Sequence, residues 1–264
     1  MVEAVEMRIA EVHEHLKSVA YWNNWSQTVD GFLWGNPDKD LTGMAVCWSS
    51  KRPQVEWALE KGCNLYITHE PLYSYVHHNQ YQHPMEAEKT RVLRESGIVV
   101  YRCHDVLDMF PDIGIPDSWA RILGFKGPPS STRNYYRSYD LEEGSTARSV
   151  AGRLLTRIAD LGQDSIHLVG PADREVTRAV VGTGAITSFR VMAQMGDLLI
   201  VTDDGTRLWE SAQWSVDTDT PMLIVNHATA EEPGVRALAG YLSDNLDSPV
   251  HFIPQGCLYE TICR

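Results

Sequence analysis

Apolar residues open the chain at Val5, Ile9, Val12, Leu16 and Val19, in steps of four, three, four and three. A helical turn of 3.6 residues returns such positions to one side, so the segment predicts an amphipathic helix. The pattern then changes to short unbroken apolar runs. Gly43-Met44-Ala45-Val46-Cys47-Trp48 predicts a buried strand, Pro53 opens a helix ending near Gly62, and Asn64-Leu65-Tyr66-Ile67-Thr68 predicts a second buried strand. A helix from Pro84 to Gly97, with Val92 and Leu93 inward, leads to a third strand, Ile98-Val99-Val100-Tyr101. Short apolar strands alternating with helices predict an α/β fold with mostly parallel sheets.

The stretch 127–139, beginning Gly-Pro-Pro-Ser-Ser-Thr-Arg-Asn, has the composition of a linker. Beyond it the pattern restarts. A helix is predicted over 149–161 with Val150, Leu154, Leu155 and Ile158 on one side. Strands follow at 179–181, 198–201 and 222–225, then a helix after Pro233 and a strand at 250–253. A shift of 134 residues lays Gly62 on Gly196, Thr68 on Thr202 and Ala45-Val46 on Ala179-Val180. This internal repeat predicts two similar α/β lobes, one from 1–126 plus 222–264 and the second from 127–221.

In open α/β sheets, chemistry gathers in the loops beyond the carboxyl ends of strands. Three strand ends here carry His beside a carboxylate: Thr68-His69-Glu70-Pro71, Cys103-His104-Asp105-Val106-Leu107-Asp108, and Asn226-His227-Ala228-Thr229-Ala230-Glu231. Imidazole with carboxylate suits Zn, Fe, Mn or Co, and a carboxylate bridging two ions leaves positions open for water. Thr229-x-x-Glu232 has the form of a capping box with Pro233 in the first helical turn, which would put Glu231 close to His227. One His at a strand end is more often a hydrogen-bonded loop residue, and one acid at a helix start is more often a cap. Three coincident strand ends favour a metal.

Other motifs carry less. His77, His78 and His83 lie in a Tyr- and Asn-rich loop that reads as solvated, with His77 and His78 the candidates for a substrate wall. Gly182-Thr183-Gly184 follows a strand but lacks both the third Gly of a dinucleotide fingerprint and a P-loop Lys, so it reads as a tight turn. Asp203-Asp204-Gly205 reads first as a turn. Its repeat mate is His69-Glu70, which makes Asp204 a candidate substrate contact. Cys103 beside His104 reads as a buried small residue.

Charge narrows the partners. Across 264 residues, 23 Lys and Arg against 35 Asp and Glu leave a formal charge of −12. Such a surface repels phosphate backbones and disfavours sequence-independent nucleic-acid binding, whereas it accommodates carboxylates gathered around a cation. No apolar run approaches the roughly 20 residues of a membrane span. The acidic start, Met1-Val2-Glu3-Ala4-Val5-Glu6, lacks the layout of a signal peptide. The five cysteines form no CxxC pair, which argues against a zinc ribbon and for a reduced, cytoplasmic setting.

Together these motifs resemble the GTP cyclohydrolase I type 2-like family, the Nif-three-like dinuclear metal-centre hexamers. Ile67-Thr68-His69-Glu70-Pro71 is similar to the family's Ile-Thr-His-His-Pro, and His104-Asp-Val-Leu-Asp108 to its His-x-x-x-Asp. His227-Ala-Thr-Ala-Glu231-Glu232-Pro233-Gly234-Val235 is similar to its His-x-x-x-Glu-x-Pro-Gly-Val. Gly35-Asn36-Pro37 and the closing helix are in the expected places. The resemblance implies two similar lobes with a two-metal site at strand carboxyl ends between them, and a ring-shaped homohexamer. It implies His69, Asp108, His227 and Glu231 as ligands, Glu231 bridging, and His104 near the metals. Two departures stand out. Glu70 occupies the place of the second family His and supplies oxygen, which moves preference toward Fe or Mn over Zn. The segment Thr202-Asp203-Asp204-Gly205-Thr206-Arg207-Leu208-Trp209 lacks the family's Lys or His cluster.

The expectation is a hydrolase that uses two divalent ions, Fe, Mn or Zn, to activate water against a small heterocycle, amide or phosphoester. His69, Glu70, Asp108, His227 and Glu231 would hold the metals, and His104 would shuttle protons. The alternatives are a di-iron redox or oxygen-activating enzyme and a non-catalytic metal-binding ring that engages partners.

Overall fold

Ile9, Val12 and Leu16 all turn inward on α1 (Ile9–Val19) and are buried, as the opening stripe predicts. The Glu11 carboxylate folds back to accept the Arg8 N–H at 2.6 Å, satisfying one of the donors that a helix start leaves open. The computed structural model describes residues 7–73, 87–185 and 187–262. Val5 of the stripe therefore lies outside the described residues.

The chain continues through β1 (Gly31–Trp34), β2 (Met44–Cys47), α2 (Arg52–Glu60), β3 (Leu65–Thr68), α3 (Ala87–Ser96), β4 (Val99–Arg102) and α4 (Asp105–Asp108). Next come α5 (Ile115–Ile122), β5 (Ser131–Arg133), β6 (Tyr136–Asp140), α6 (Ala147–Ile158), β7 (His167–Val169) and β8 (Arg178–Val181). The last elements are α7 (Phe189–Met192), β9 (Leu198–Thr202), α8 (Leu208–Asp217), β10 (Met222–Val225), α9 (His227–Asn245) and β11 (Val250–Phe252).

Two sheets form, with strand orders β1-β4-β3-β2-β11 and β5-β6-β8-β9-β10-β7. In the first, β11, β2, β3 and β4 run parallel and β1 pairs antiparallel to β4. Every residue of β2, β3 and β4 is buried, which explains unbroken apolar runs in place of alternation. One core cluster gathers Ala45, Tyr66, Val100, Val55, Ala58 and Leu93.

In the second sheet β8, β9 and β10 are parallel, with β6 antiparallel to β8 and β7 antiparallel to β10. Successive side chains of a strand point to opposite faces. Val181, Leu198, Ile200 and Leu223 accordingly pack with Trp119, Val150, Leu154 and Ile158. Val180, Leu199, Val201 and Met222 join Phe189 and Met192 in a separate cluster. The three central strands β2, β3, β4 thus have counterparts in β8, β9, β10, and the internal repeat covers the first two of each set.

The sheets are mostly parallel, as expected, and two other expectations are corrected. The stretch read as a linker contains the β5–β6 hairpin, with Arg133 paired to Tyr136 and Asn134 at φ 52° in the turn. Asn tolerates that left-handed backbone, while polar strand residues conceal the pairing from a hydrophobicity pattern. Second, α9 begins at His227, so Pro233 lies inside it. Glu232 lies inside that helix, and its Oε2 accepts the Gln255 and Gly256 N–H groups at 2.7 and 2.6 Å.

The chain divides into two compact units, Met1–Ile113 with Val235–Pro254 and Gly114–Gly234 with Gln255–Arg264. The division differs from the one expected at 126 and 222. Strand β10 is hydrogen-bonded between β9 and β7, which assigns it to the second unit. Among the described residues no helix is long and apolar enough to cross a membrane.

Candidate metal centre

In the first unit, β3 ends at Thr68 and delivers His69 directly beyond it, almost fully buried. The His69 Nδ1–H donates to the Cys103 carbonyl at 3.1 Å, which leaves Nε2 as the nitrogen with a lone pair. That Nε2 lies 3.6 Å from Asp108 Oδ1. The neighbouring strand β4 ends at Arg102 and delivers His104, whose ring stacks on His69 at 4.3 Å between centroids and 9° between planes. His104 Nδ1 is 2.9 Å from Asp105 Oδ1 and 3.4 Å from Asp108 Oδ2. His69, His104 and Asp108 each offer a ligand atom, and all three atoms lie within 4.8 Å of one another. That is a candidate metal-ligand group.

The loop before β1 holds this cluster in place. Asp30 accepts the backbone N–H groups of His104 and Val106, the latter at 3.1 Å. The Thr28 hydroxyl and the Val29 N–H donate to Asp105 Oδ2 at 2.9 and 3.2 Å. The hydrogen bond from His104, reinforced by Thr28 and Val29, brings the Asp105 carboxyl down to about 2. An ionised Asp105 accepts, so His104 Nδ1 carries the proton and Nε2 is the lone-pair nitrogen. Burial drives the Cys103 thiol well above its usual range, with the Asp30 charge adding to this, in keeping with an inert small residue.

Glu70 has a different neighbour. Arg102 is buried, donates from Nε to the His69 carbonyl at 3.0 Å and brings Nη2 to 4.0 Å from Glu70 Oε2.

In the second unit, β10 delivers His227 in the same way, followed by an acid one helical turn later. His227 Nε2 is 2.9 Å from Glu231 Oε1, and both residues are buried. His227 Nδ1 donates to Asp204 Oδ2 at 2.9 Å, and this bond lowers the Asp204 carboxyl below its usual value. Asp204, read as a substrate contact, thus fixes the imidazole through the atom opposite Nε2. Asp203 accepts the His227 N–H at 2.9 Å and the Asn226 side-chain amide at 2.9 Å.

The two units therefore repeat one device: a parallel strand, His two residues past its end, a carboxylate on Nδ1, and an acid four residues on. The sequence pattern supplied His69, His104, Asp108, His227 and Glu231. It missed the repeat of His104-x-x-x-Asp108 in His227-x-x-x-Glu231, because these histidines are 123 residues apart whereas the strands superpose at 134. It also missed Asp30, a single acid in a polar loop with no distinguishing signal. His77, His78 and His83 lie outside the described residues.

The fold and its donor groups define a class: a two-sheet α/β protein with imidazole and carboxylate gathered at the carboxyl end of each parallel core. The chain belongs to the Duf34/NIF3 (NGG1p interacting factor 3) family, whose model matches residues 7–256. It is 23% identical over 231 residues to the GTP cyclohydrolase 1 type 2 homolog of Clostridium perfringens, covering 84% of this chain and 86% of that one. Its fold is similar to that of Staphylococcus aureus hypothetical protein SA1388, with TM-score 0.77, 16% identity and coverage of 97% of this chain and 100% of the other. Reduced HcgD from Methanocaldococcus jannaschii matches with TM-score 0.73 and 20% identity over 95% and 99% of the two chains.

Proposed function

We propose that the chain is a dinuclear-metal-dependent hydrolase acting on a small molecule that carries a heterocycle, amide or phosphoester. The observation that carries this reading is the donor set. His69, His104 and Asp108 present ligand atoms within 4.8 Å of one another, and His227 with Glu231 repeats the arrangement in the second unit. Neutral imidazole and carboxylate fit divalent iron, manganese or zinc. His69 and His227 each donate Nδ1–H to a fixed oxygen, the outer partner that orients a ligating imidazole.

Ligation falls to His69, Asp108, His227 and Glu231, with Glu70 as a further oxygen donor. Divalent ions bound there would polarise the electrophile and lower the pKa of water toward neutrality. His104 keeps its proton on Nδ1 against Asp105, so Nε2 is the atom that takes up and returns the reaction's proton. Thr28 and Val29 hold Asp105 in register for that task. Among the described residues Cys47, Cys63, Cys103 and Cys257 form no disulfide, which suits a cytoplasmic protein. Assembly as a homohexamer is proposed on the family resemblance.

The test is Glu231→Gln. Protein purified without added metal is analysed for its elements and then assayed against a panel of small esters, amides and heterocycles. Wild type is expected to hold two ions per chain and Glu231→Gln to lose both metal and turnover. Two ions retained with turnover intact would remove Glu231 from the ligand set. Tightly held iron with a visible oxidised band would instead favour redox chemistry, and a wild type without metal would favour an interaction protein.

A further inference from the structure

The Gly182-Thr183-Gly184 turn does more than reverse the chain at the end of β8. Thr187, itself buried, shares its hydroxyl between the Thr183 carbonyl at 2.7 Å and the Gly184 carbonyl at 2.9 Å. The Thr202 hydroxyl and the Thr187 N–H both reach the same Gly184 carbonyl at 3.3 Å. Two successive carbonyls are thereby drawn inward. In a planar trans peptide, N–H and C=O point in opposite directions. The Gly184 and Ala185 N–H groups therefore point away from the Thr187 hydroxyl, and neither donates to any described residue.

Gly184 has φ +82°, a left-handed conformation that suits glycine. A Cβ added there would sit 3.4 Å from Glu231 Oε1 and 3.9 Å from His227 Nε2. The bare Cα thus keeps space open directly in front of those two side chains. Gly205 closes the loop from behind: a Cβ there would come within 2.5 Å of the Gly184 carbonyl oxygen and 2.8 Å of Thr187 Cβ. Glycine at both positions permits backbone contact between the β8 and β9 loops and fixes the turn.

We propose that the Gly184 and Ala185 amides form an oxyanion cradle beside His227 and Glu231, and that the ligand it takes is the phosphoryl group of a phosphate-bearing substrate. Successive N–H groups around a left-handed residue are a recurring concave anion site. A phosphoryl group has oxygens to spare, one for the amides and others for the histidine side of the pocket. A neutral amide or heterocycle has no equivalent charge to place there. This inference rests on the metal reading above, because Asp204 and Glu231 alone would repel an anion, and it selects the phosphoester among the substrates that reading allows.

The test uses the full chain, loaded with zinc and assayed first for zinc content. Inorganic phosphate is titrated into ¹⁵N-labelled wild type, with acetate as a parallel arm. The Gly184 and Ala185 amide resonances are expected to move with phosphate and to stay near their starting positions with acetate. Phosphate binding that leaves both amides unmoved would overturn the cradle, as would no phosphate binding. Equal movement with acetate would overturn the assignment to phosphate. Thr187→Val, which removes the shared hydroxyl from both carbonyls without touching the metal side chains, should weaken phosphate binding at least fivefold with zinc content unchanged. Undiminished binding in that variant would overturn the role given to Thr187, and if it fails to fold the wild-type shifts decide alone. A chain that takes up no zinc would remove the metal reading and the cradle with it, whereas zinc uptake without phosphate binding would overturn the cradle alone.

Discussion

His13 and His15 on α1 each lie 3.0 Å from a tyrosine hydroxyl, Tyr101 and Tyr241 respectively. Burial lowers both imidazoles below their usual 6.5. The unfolded chain therefore binds more protons than the folded one between the lowered value and about 6.5. Their contribution to stability is complete above about 6.5 and is lost as pH falls through that value toward the lower folded one. The thermal midpoint of wild type is expected to drop between pH 7.5 and 5.5, and that of His13→Gln/His15→Gln to drop less. Parallel slopes in the two proteins would show that neither histidine contributes. At this scale the ligand candidates were legible because His and an acid recur beside predicted strand ends. Asp30 and the roles of Asp105 and Asp204 were not, since each depends on hydrogen bonds that bring distant or adjacent groups into one geometry.

The helix that carries His227 and Glu231 also shows how elements were and were not readable. Its start was expected near Pro233, because proline suits a first turn and costs a hydrogen bond further in. The structure places the start at His227 and buries Ala228, Thr229 and Ala230, so tertiary packing overrides the local preference. Gly234 marks the closest approach: a Cβ there would come within 2.7 Å of Ile115 Cδ1 and 3.0 Å of Ile115 Cα on α5. Gly234→Ala must push α5 or α9 aside, and overpacking of this kind costs about 1–3 kcal/mol. At about 2–4 °C per kcal/mol for a chain near this size, the thermal midpoint should fall by several degrees. An unchanged midpoint would mean that α5 yields freely. The buried parallel strands were legible as apolar runs, whereas β5 is exposed throughout and β1 only half-buried, so neither shows a hydrophobic pattern. The first two strands of the repeat were found because their spacing is conserved between the halves, and the third was missed because the intervening segments differ in length.

For the whole molecule, a charge of −12 has two separable parts. Exposed carboxylates repel one another through water, and at 1 M salt, with a Debye length of about 3 Å, that repulsion is largely screened. The Asp108 side chain is 13% exposed and that of Glu231 4%, so salt reaches these charges poorly. A cation bound to the folded chain stabilises it by mass action, by about 2.7 kcal/mol when its concentration is 100 times its Kd. At about 2–4 °C per kcal/mol, that corresponds to roughly 5–10 °C in the thermal midpoint. Stripping the protein with a chelator should therefore lower the midpoint by about that much. Added zinc or manganese should restore it, while 1 M sodium chloride should restore only a minor part. The paired substitution Asp108→Asn/Glu231→Gln should abolish the response to metal and raise the midpoint of the stripped protein, because it removes buried charge that no cation then offsets. A wild-type midpoint that ignores both chelator and metal would count against resident divalent ions. Recovery by salt alone would assign the loss to the acidic surface as a whole.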